Sequence, residues 1–195
     1  MRSVLFLTVC LALPGPLQAQ AGPDPSSRDR ISATATILAK GGRVAEENRL
    51  HLGGWAGLVF GGNLAIGGGG FALINGVALS GSEGSTGFNL DLGYGGLVIR
   101  YWESLYGPIT GEVGVLLGAG HAEVRDDQLV NPEVGSDNFL VTEAEMGVFY
   151  TVFGEVHLGA AVGYRFTSGV EGLPRASAGD LNSFTGTLSL RVGGD

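Results

Sequence analysis

The sequence predicts an all-β chain folded as an eight-stranded antiparallel up-and-down β-barrel of the transmembrane kind. Three observations carry that expectation. Segments alternate apolar and polar residues with a period of two. Connections are alternately long and short along the chain. Polar faces are built from small residues, while aromatic residues gather at segment ends. Glycine dominates, with 36 among 195 residues, a length suited to one domain.

The chain opens with Met1-Arg2, an apolar run from Val4 to Leu13, then Pro14, Pro16 and the small residues Ala19 and Ala21. That order reads as a secretory signal peptide over residues 1–19, with cleavage after Ala19 or Ala21. The run is too short to cross a bilayer as a helix, and the prolines would break a buried helix. Cys10, the single cysteine, lies in this segment, too close to the start for a lipoprotein cysteine. The mature chain is therefore expected to have no thiol, disulfide or cysteine-bound metal. Losing residues 1–19 removes Arg2 and no acid, so the net charge becomes one unit more negative than the −8 of the full chain. So acidic a surface repels nucleic acid and anionic membrane. No long apolar run follows, so no transmembrane helix is expected. Residues 20–30, with Pro23 and Pro25, read as a flexible lead, and 31–195 as the barrel domain.

Eight segments have strand character. The first, 31–39, is short and rich in Ala and Thr. Segments 49–60 and 64–76 are glycine-rich and meet at Gly61-Gly62-Asn63. Segment 87–102 is the least regular: Leu97 and Ile99 share a face with Asn89 and Asp91, which a β-bulge would explain. In 109–122, Ile109, Val113, Val115 and Leu117 oppose Thr110, Glu112 and Gly114. In 139–151, Leu140, Ala144, Met146, Val148 and Tyr150 oppose Glu143 and Glu145. In 154–167, Val156, Leu158, Ala160, Val162, Tyr164 and Phe166 oppose Glu155, His157, Gly159, Ala161, Gly163, Arg165 and Thr167. In 181–192, Phe184, Leu188, Leu190 and Val192 oppose Ser183, Thr185, Thr187, Ser189 and Arg191.

The connections 40–48, 77–86, 123–138 and 168–180 are long, whereas 61–63, 103–108 and 152–153 are short. An antiparallel meander with long loops at one end and tight turns at the other is the outer-membrane plan. On that plan the apolar faces meet lipid and the polar faces line the interior. An eight-stranded barrel is just wide enough inside for side chains to fill it, so its charges must be paired. Glu112, Glu143, Glu145, Glu155, His157, Arg165 and Arg191 are expected to form that interior network, with Arg165 and Arg191 neutralising glutamates. Phe60, Tyr101, Trp102, Tyr106, Tyr150 and Phe153 at the short turns, and Phe88, Phe139, Phe166 and Phe184 near the long loops, resemble two interfacial girdles.

Other motifs point to less. Gly67-Gly68-Gly69-Gly70 is followed by no Lys-Ser/Thr and opens no helix, which argues against a nucleotide site. The Gly-xxx-Gly pairs Gly53/Gly57, Gly114/Gly118 and Gly159/Gly163 mark close packing in strands. His51, His121 and His157 lack metal-ligand spacing. Glu123, Asp126, Asp127 and Asp137 lack the order of a calcium loop and read as a solvated acidic loop. No catalytic residue, cofactor or metal is expected. His121, Glu123 and Ser168 would lie near the long-loop rim, where a lipid hydrolase could work, but no nucleophile motif surrounds them.

The whole mature chain resembles small bacterial outer-membrane β-barrels of the OmpA-transmembrane or OmpX type. The segments LHLGGWAGLVFGGNLAIGGGGFALING, LDLGYGGLVIRYW and LGAAVGYRFTSGVEGL resemble a glycine-rich family of Gram-negative outer-membrane proteins. That likeness implies export, barrel insertion by the insertion machinery and contact with outer-membrane lipid, and no chemical activity. Such barrels commonly end on an aromatic residue, whereas this chain ends Arg191-Val192-Gly193-Gly194-Asp195. The expected role is structural or a surface interaction with an extracellular partner through acidic loops 77–86, 123–138 and 168–180, without a wide pore. Two alternatives stand beside it: a soluble periplasmic lipocalin-like binder of a small apolar ligand, and an outer-membrane lipid hydrolase.

Overall fold

The computed structural model describes residues 31–44, 47–74, 77–79, 88–126, 133–170 and 178–194. The expected signal peptide and lead lie outside these residues, as do most of loop 77–86 and the central parts of loops 123–138 and 168–180. The strands are β1 (Ile31–Val44), β2 (Glu47–Phe60), β3 (Leu64–Leu73), β4 (Val77–Leu79), β5 (Phe88–Tyr106), β6 (Ile109–Asp126), β7 (Glu133–Phe153), β8 (Val156–Ser168) and β9 (Ser183–Gly193). One helical turn, α1 (Ala178–Leu181), precedes β9. No helix among the described residues is long and apolar enough to cross a membrane.

Eight strands pair in the order β3-β2-β1-β9-β8-β7-β6-β5, and β3 pairs with β5 to close the ring. The three-residue β4 also pairs with β5, beyond the end of β3. Every pairing is antiparallel. Closure removes the sheet edge over the ring itself, whereas β4 and residues 133–139 of β7 are paired on one side only among the described residues. Three tight turns lie at one end: 61–63, 107–108 and 154–155. Gly61, Gly62, Gly107 and Gly154 sit there at positive φ, the conformation that lets a short hairpin follow the strand twist.

The two faces are inverted relative to a water-soluble barrel. Along β7, Leu140, Met146, Val148 and Tyr150 are exposed, while Val141, Glu143, Glu145 and Phe149 are buried. Along β8, Leu158, Val162, Tyr164 and Phe166 point outward, and His157, Arg165 and Thr167 point inward. β9 repeats this with Phe184, Leu188 and Val192 outside and Thr185, Thr187 and Arg191 inside. Burying a single Leu or Phe side chain gains about 1.5–3 kcal/mol. A continuous exposed belt of such residues is stable only against an apolar medium. The interior also carries an apolar cluster that includes Trp55, Phe71, Tyr94, Val98, Trp102 and Phe139.

Several boundaries differ from those read in the sequence. The expected long connection 40–48 is only residues 45–46, because β1 and β2 continue through it with Lys40 opposite His51 and Gly42 opposite Arg49. Gly41-Gly42, inside that expected connection, lies within a paired strand. β6 and β7 run on to Asp126 and from Glu133, past the range where outward residues are apolar. β5 has no bulge over 88–104 against β6, and its only register shift lies between Ser104 and Tyr106. Its blurred pattern arises because Leu92, Tyr94, Val98 and Trp102 are buried, while Leu97 and Tyr101 are exposed. Asp91 shares that outward face near the long-loop end. β8 begins at Val156, since Gly154-Glu155 form the turn, and β9 begins at Ser183, after α1.

Among the expected girdle residues, Phe60, Tyr101, Tyr106, Tyr150, Phe153, Phe166 and Phe184 are exposed. Trp102 and Phe139 are not girdle residues: strand parity turns both inward, and both are buried. The side chain of Phe88 lies outside the described residues.

Val162, 63% exposed at the middle of β8, tests the outward face. Val162→Arg should cost about 2–4 kcal/mol of folded stability in lipid vesicles, the depth-dependent penalty for a cation facing hydrocarbon. Urea titration of vesicle-folded protein measures it, and an unchanged midpoint would contradict a lipid-facing β8.

Candidate functional site

The interior polar residues come from almost every strand because each strand turns alternate side chains inward. Lys40 projects from β1, Arg100 from β5, Glu112 from β6, Glu143 and Glu145 from β7, and Arg191 from β9; all six are buried. They form one chain of alternating charge. Glu143 pairs with Lys40. Lys40 Nζ lies 3.0 Å from Glu145 Oε1. Arg100 donates to Glu145 Oε2 at 2.5 Å and to Glu112 Oε1 at 3.0 Å. Arg191 donates to Glu112 Oε2 at 2.6 Å. Three carboxylates and three cations therefore balance along one path.

Neutral groups and aromatic rings brace this path. Tyr94 Oη donates to Glu143 Oε2 at 2.8 Å, and Thr187 Oγ1 donates to Glu145 Oε1 at 2.9 Å. The Arg191 guanidinium lies between two rings, 4.5 Å from the centroid of Trp102 and 4.3 Å from that of Phe149. Lys40 stands 4.1 Å above Phe71. The negative face of each ring attracts the cation in a medium where that attraction is poorly screened. Trp102 Nε1 in turn donates to Gly62 O at 2.9 Å, which ties this layer to the short-turn end.

Glycines make room for these side chains. A Cβ at Gly114 would stand 2.3 Å from Arg100 Cδ, and one at Gly159 would stand 2.4 Å from Phe149 Cε1. Arg100 and Phe149 thus lie over neighbouring strands at positions where any larger residue would collide.

The residues expected to form the interior network have different fates. Glu112, Glu143, Glu145 and Arg191 belong to the charge chain. His157 is buried, with Nδ1 3.0 Å from Thr151 Oγ1, and lies opposite Arg191 in the β8–β9 register. Arg165 is buried but forms no ion pair among the described residues, so it does not neutralise a glutamate as expected. Its Nε donates to Leu181 O at 2.9 Å and its Nη2 to Arg43 O at 3.3 Å. Glu155 is not part of the interior: it lies in the exposed turn before β8, and its carbonyl accepts from Gly193 N at 3.0 Å. Lys40 and Arg100 are the members that the sequence did not single out.

The rim residues weighed for hydrolysis do not assemble. His121 Nδ1 lies 3.0 Å from Asn138 Oδ1 on β7. Ser168 is on β8, opposite Leu140, with β7 between it and the strand that carries His121 and Glu123. Two strand spacings, about 10 Å, separate those backbones. No group of three or more His, Cys, Asp or Glu among the described residues is arranged to hold a metal ion.

No protein-family model matches the chain, and no curated protein sequence matches it. Solved structures do. Neisserial surface protein A aligns with a TM-score of 0.58 at 17% identity, covering 84% of this chain and 95% of that one. OprG of Pseudomonas aeruginosa gives 0.53 at 11%, covering 85% and 96%. The N-terminal β-barrel domain of OprF from the same organism gives 0.50 at 14%, covering 82% and 96%. The chain has the fold of small bacterial outer-membrane β-barrels.

Glu145 touches both Lys40 and Arg100. Glu145→Gln should destabilise the folded barrel by about 3–5 kcal/mol, because it leaves buried positive charge under-compensated. Glu155→Gln, in the exposed turn, should leave the unfolding midpoint unchanged. Gly114→Ala should cost about 1–3 kcal/mol by displacing Arg100. Equilibrium urea unfolding of vesicle-folded variants measures all three, and equal effects of the two Glu→Gln changes would remove the distinction between them.

Proposed function

We propose that this protein is a bacterial outer-membrane β-barrel with a filled lumen and a structural or surface-interaction role, rather than a wide pore or an enzyme. The single observation behind this reading is the inversion of its faces: an exposed apolar belt encloses a buried, charge-balanced interior. A soluble lipocalin-like barrel needs the opposite arrangement, with an apolar cavity inside and polar residues outside. Fold similarity to outer-membrane barrels supports the same location.

The filled lumen is favoured by strand number and by side-chain size. Eight strands enclose a space that side chains alone can occupy. Here that space receives Trp55, Phe71, Tyr94, Trp102, Phe139 and Phe149 together with four long cationic side chains. The charge chain links β1, β5, β6, β7 and β9 across the interior, so opening a wide passage would separate several ion pairs at once. Interaction with an outside partner would fall to the long-loop end, through loops 77–86, 123–138 and 168–180. The expected signal peptide supplies export, and the insertion machinery supplies assembly in lipid.

Two measurements test this. The protein should fractionate with outer membranes and require detergent for release; recovery in a detergent-free periplasmic extract would overturn the location. In planar bilayers the purified protein should give no conductance step of porin size, and such a step would overturn the filled lumen.

A further inference from the structure

We infer that the long-loop end of the barrel holds a binding site for a phosphate-type oxyanion, centred on Arg165 with Ser183 and His51. Arg165 stands apart from the other interior cations. It is 0% exposed, yet it has no carboxylate partner among the described residues, whereas Lys40, Arg100 and Arg191 share Glu112, Glu143 and Glu145. Glu143, its neighbour in the β7–β8 register, is engaged by Lys40 and Tyr94 instead. The partners of Arg165 are neutral: the carbonyls of Leu181 and Arg43, His51 Nε2 at 3.2 Å from Nη1, and the Tyr94 ring at 5.5 Å. These dipoles orient the guanidinium without cancelling its charge. Arginine cannot lose its proton to escape that cost, and a buried charge is retained where an opposite charge can reach it.

The surroundings supply further donors. Ser183 lies opposite Arg165 in the β8–β9 register, is 6% exposed, and its Oγ has no hydrogen-bond partner among the described residues. His51 Nδ1 and Thr185 Oγ1 are likewise buried without hydrogen-bond partners among the described residues. A guanidinium fork with hydroxyl and imidazole donors around it is the donor set that tetrahedral oxyanions take. A cleft of about 400 Å3 opens at the same end, lined in part by Gly42, Arg43, Arg49, Leu50 and Phe184, and Gly42 is the lining residue that meets Ser183. A Cβ at Gly42 would stand 3.1 Å from Ser183 Oγ, so this glycine keeps the wall between cleft and hydroxyl thin. Arg43 and Arg49, which have partners of their own, line that cleft. The oxyanion could be the phosphate of a lipid headgroup or a free phosphate, since the recognising chemistry is shared. The site is independent of the proposed role: a barrel that conducted widely would leave it standing.

Isothermal titration of inorganic phosphate into the full chain, folded in a non-ionic detergent with chloride controls at equal ionic strength, tests the site. Saturable one-to-one binding is expected, abolished by Arg165→Gln. Ser183→Ala should weaken it about tenfold, the loss of one charge-assisted hydrogen bond. Where Arg165→Gln does not fold, Ser183→Ala decides alone. Repeating the titration in nanodiscs with and without phosphatidic acid separates the sources: competition by the lipid assigns the site to a headgroup, and unchanged binding assigns it to a soluble anion. Absence of saturable phosphate binding, or binding that Ser183→Ala leaves unaltered, would overturn the inference.

Discussion

The interior path Glu143–Lys40–Glu145–Arg100–Glu112–Arg191 constrains the rest of the molecule. Each of these charges needs a partner from another strand, because burial removes the water that would otherwise solvate it. The partners are distant in sequence: Lys40 and Glu143 are separated by 103 positions, and Arg191 and Glu112 by 79. The path is complete only when β1, β5, β6, β7 and β9 have closed into one ring. Strand parity then does the rest. Once Glu143 and Glu145 point inward, Ala144 and Met146 must point outward, and the apolar belt follows from the placement of the charges.

That arrangement also explains the glycine content better than flexibility would. An eight-stranded ring has a fixed, small interior, and the side chains that enter it here are among the largest available. Volume given to Arg100, Phe149 and Trp55 has to be withdrawn from their cross-strand partners on neighbouring strands. Gly114 faces Arg100, Gly159 faces Phe149 and Gly69 faces Trp55 at distances that leave no room for a methyl group. Large and absent side chains are paired across adjacent strands, so glycine acts as half of a packing pair. In a conventional core the same volume would be filled by leucine and valine; here it is covered from the adjacent strand by long cations and aromatics.

How far the sequence discloses this depends on whether a feature is local. Period-two faces are local, and β7, β8 and β9 could be read with their correct inward residues. Glu112, Glu143, Glu145 and Arg191 were legible for that reason. Lys40 was not, because Gly41-Gly42 beside it looks like the end of a strand; only the pairing with β2 shows that β1 continues. Arg100 was hidden because β5 is apolar on both faces, one against lipid-facing neighbours and one against interior aromatics. Glu155 failed in the opposite way: counting by parity placed it inside, but the positive φ of Gly154 ends the hairpin there and the count starts one residue later. Trp102 and Phe139 were assigned by position along the strand, where parity was the stronger guide. Which cation meets which carboxylate is a property of the closed ring and cannot be read from spacing.

The interior is also not uniform from end to end, and this asymmetry follows from the same bookkeeping of charge. Toward the short turns, every cation has its carboxylate, and Arg191 is further enclosed by Trp102 and Phe149 beneath the turn that Trp102 holds through Gly62. The cations there are balanced by carboxylates, so that end offers an incoming anion no uncompensated positive charge among the described residues. Toward the long loops the alternation stops at Glu143, and the next cation, Arg165, is met by carbonyls, an imidazole and a ring. A barrel of this size can be rigid at one end because its charges cancel there. It can be receptive at the other only where they do not, and Arg165 is the residue at which the balance breaks.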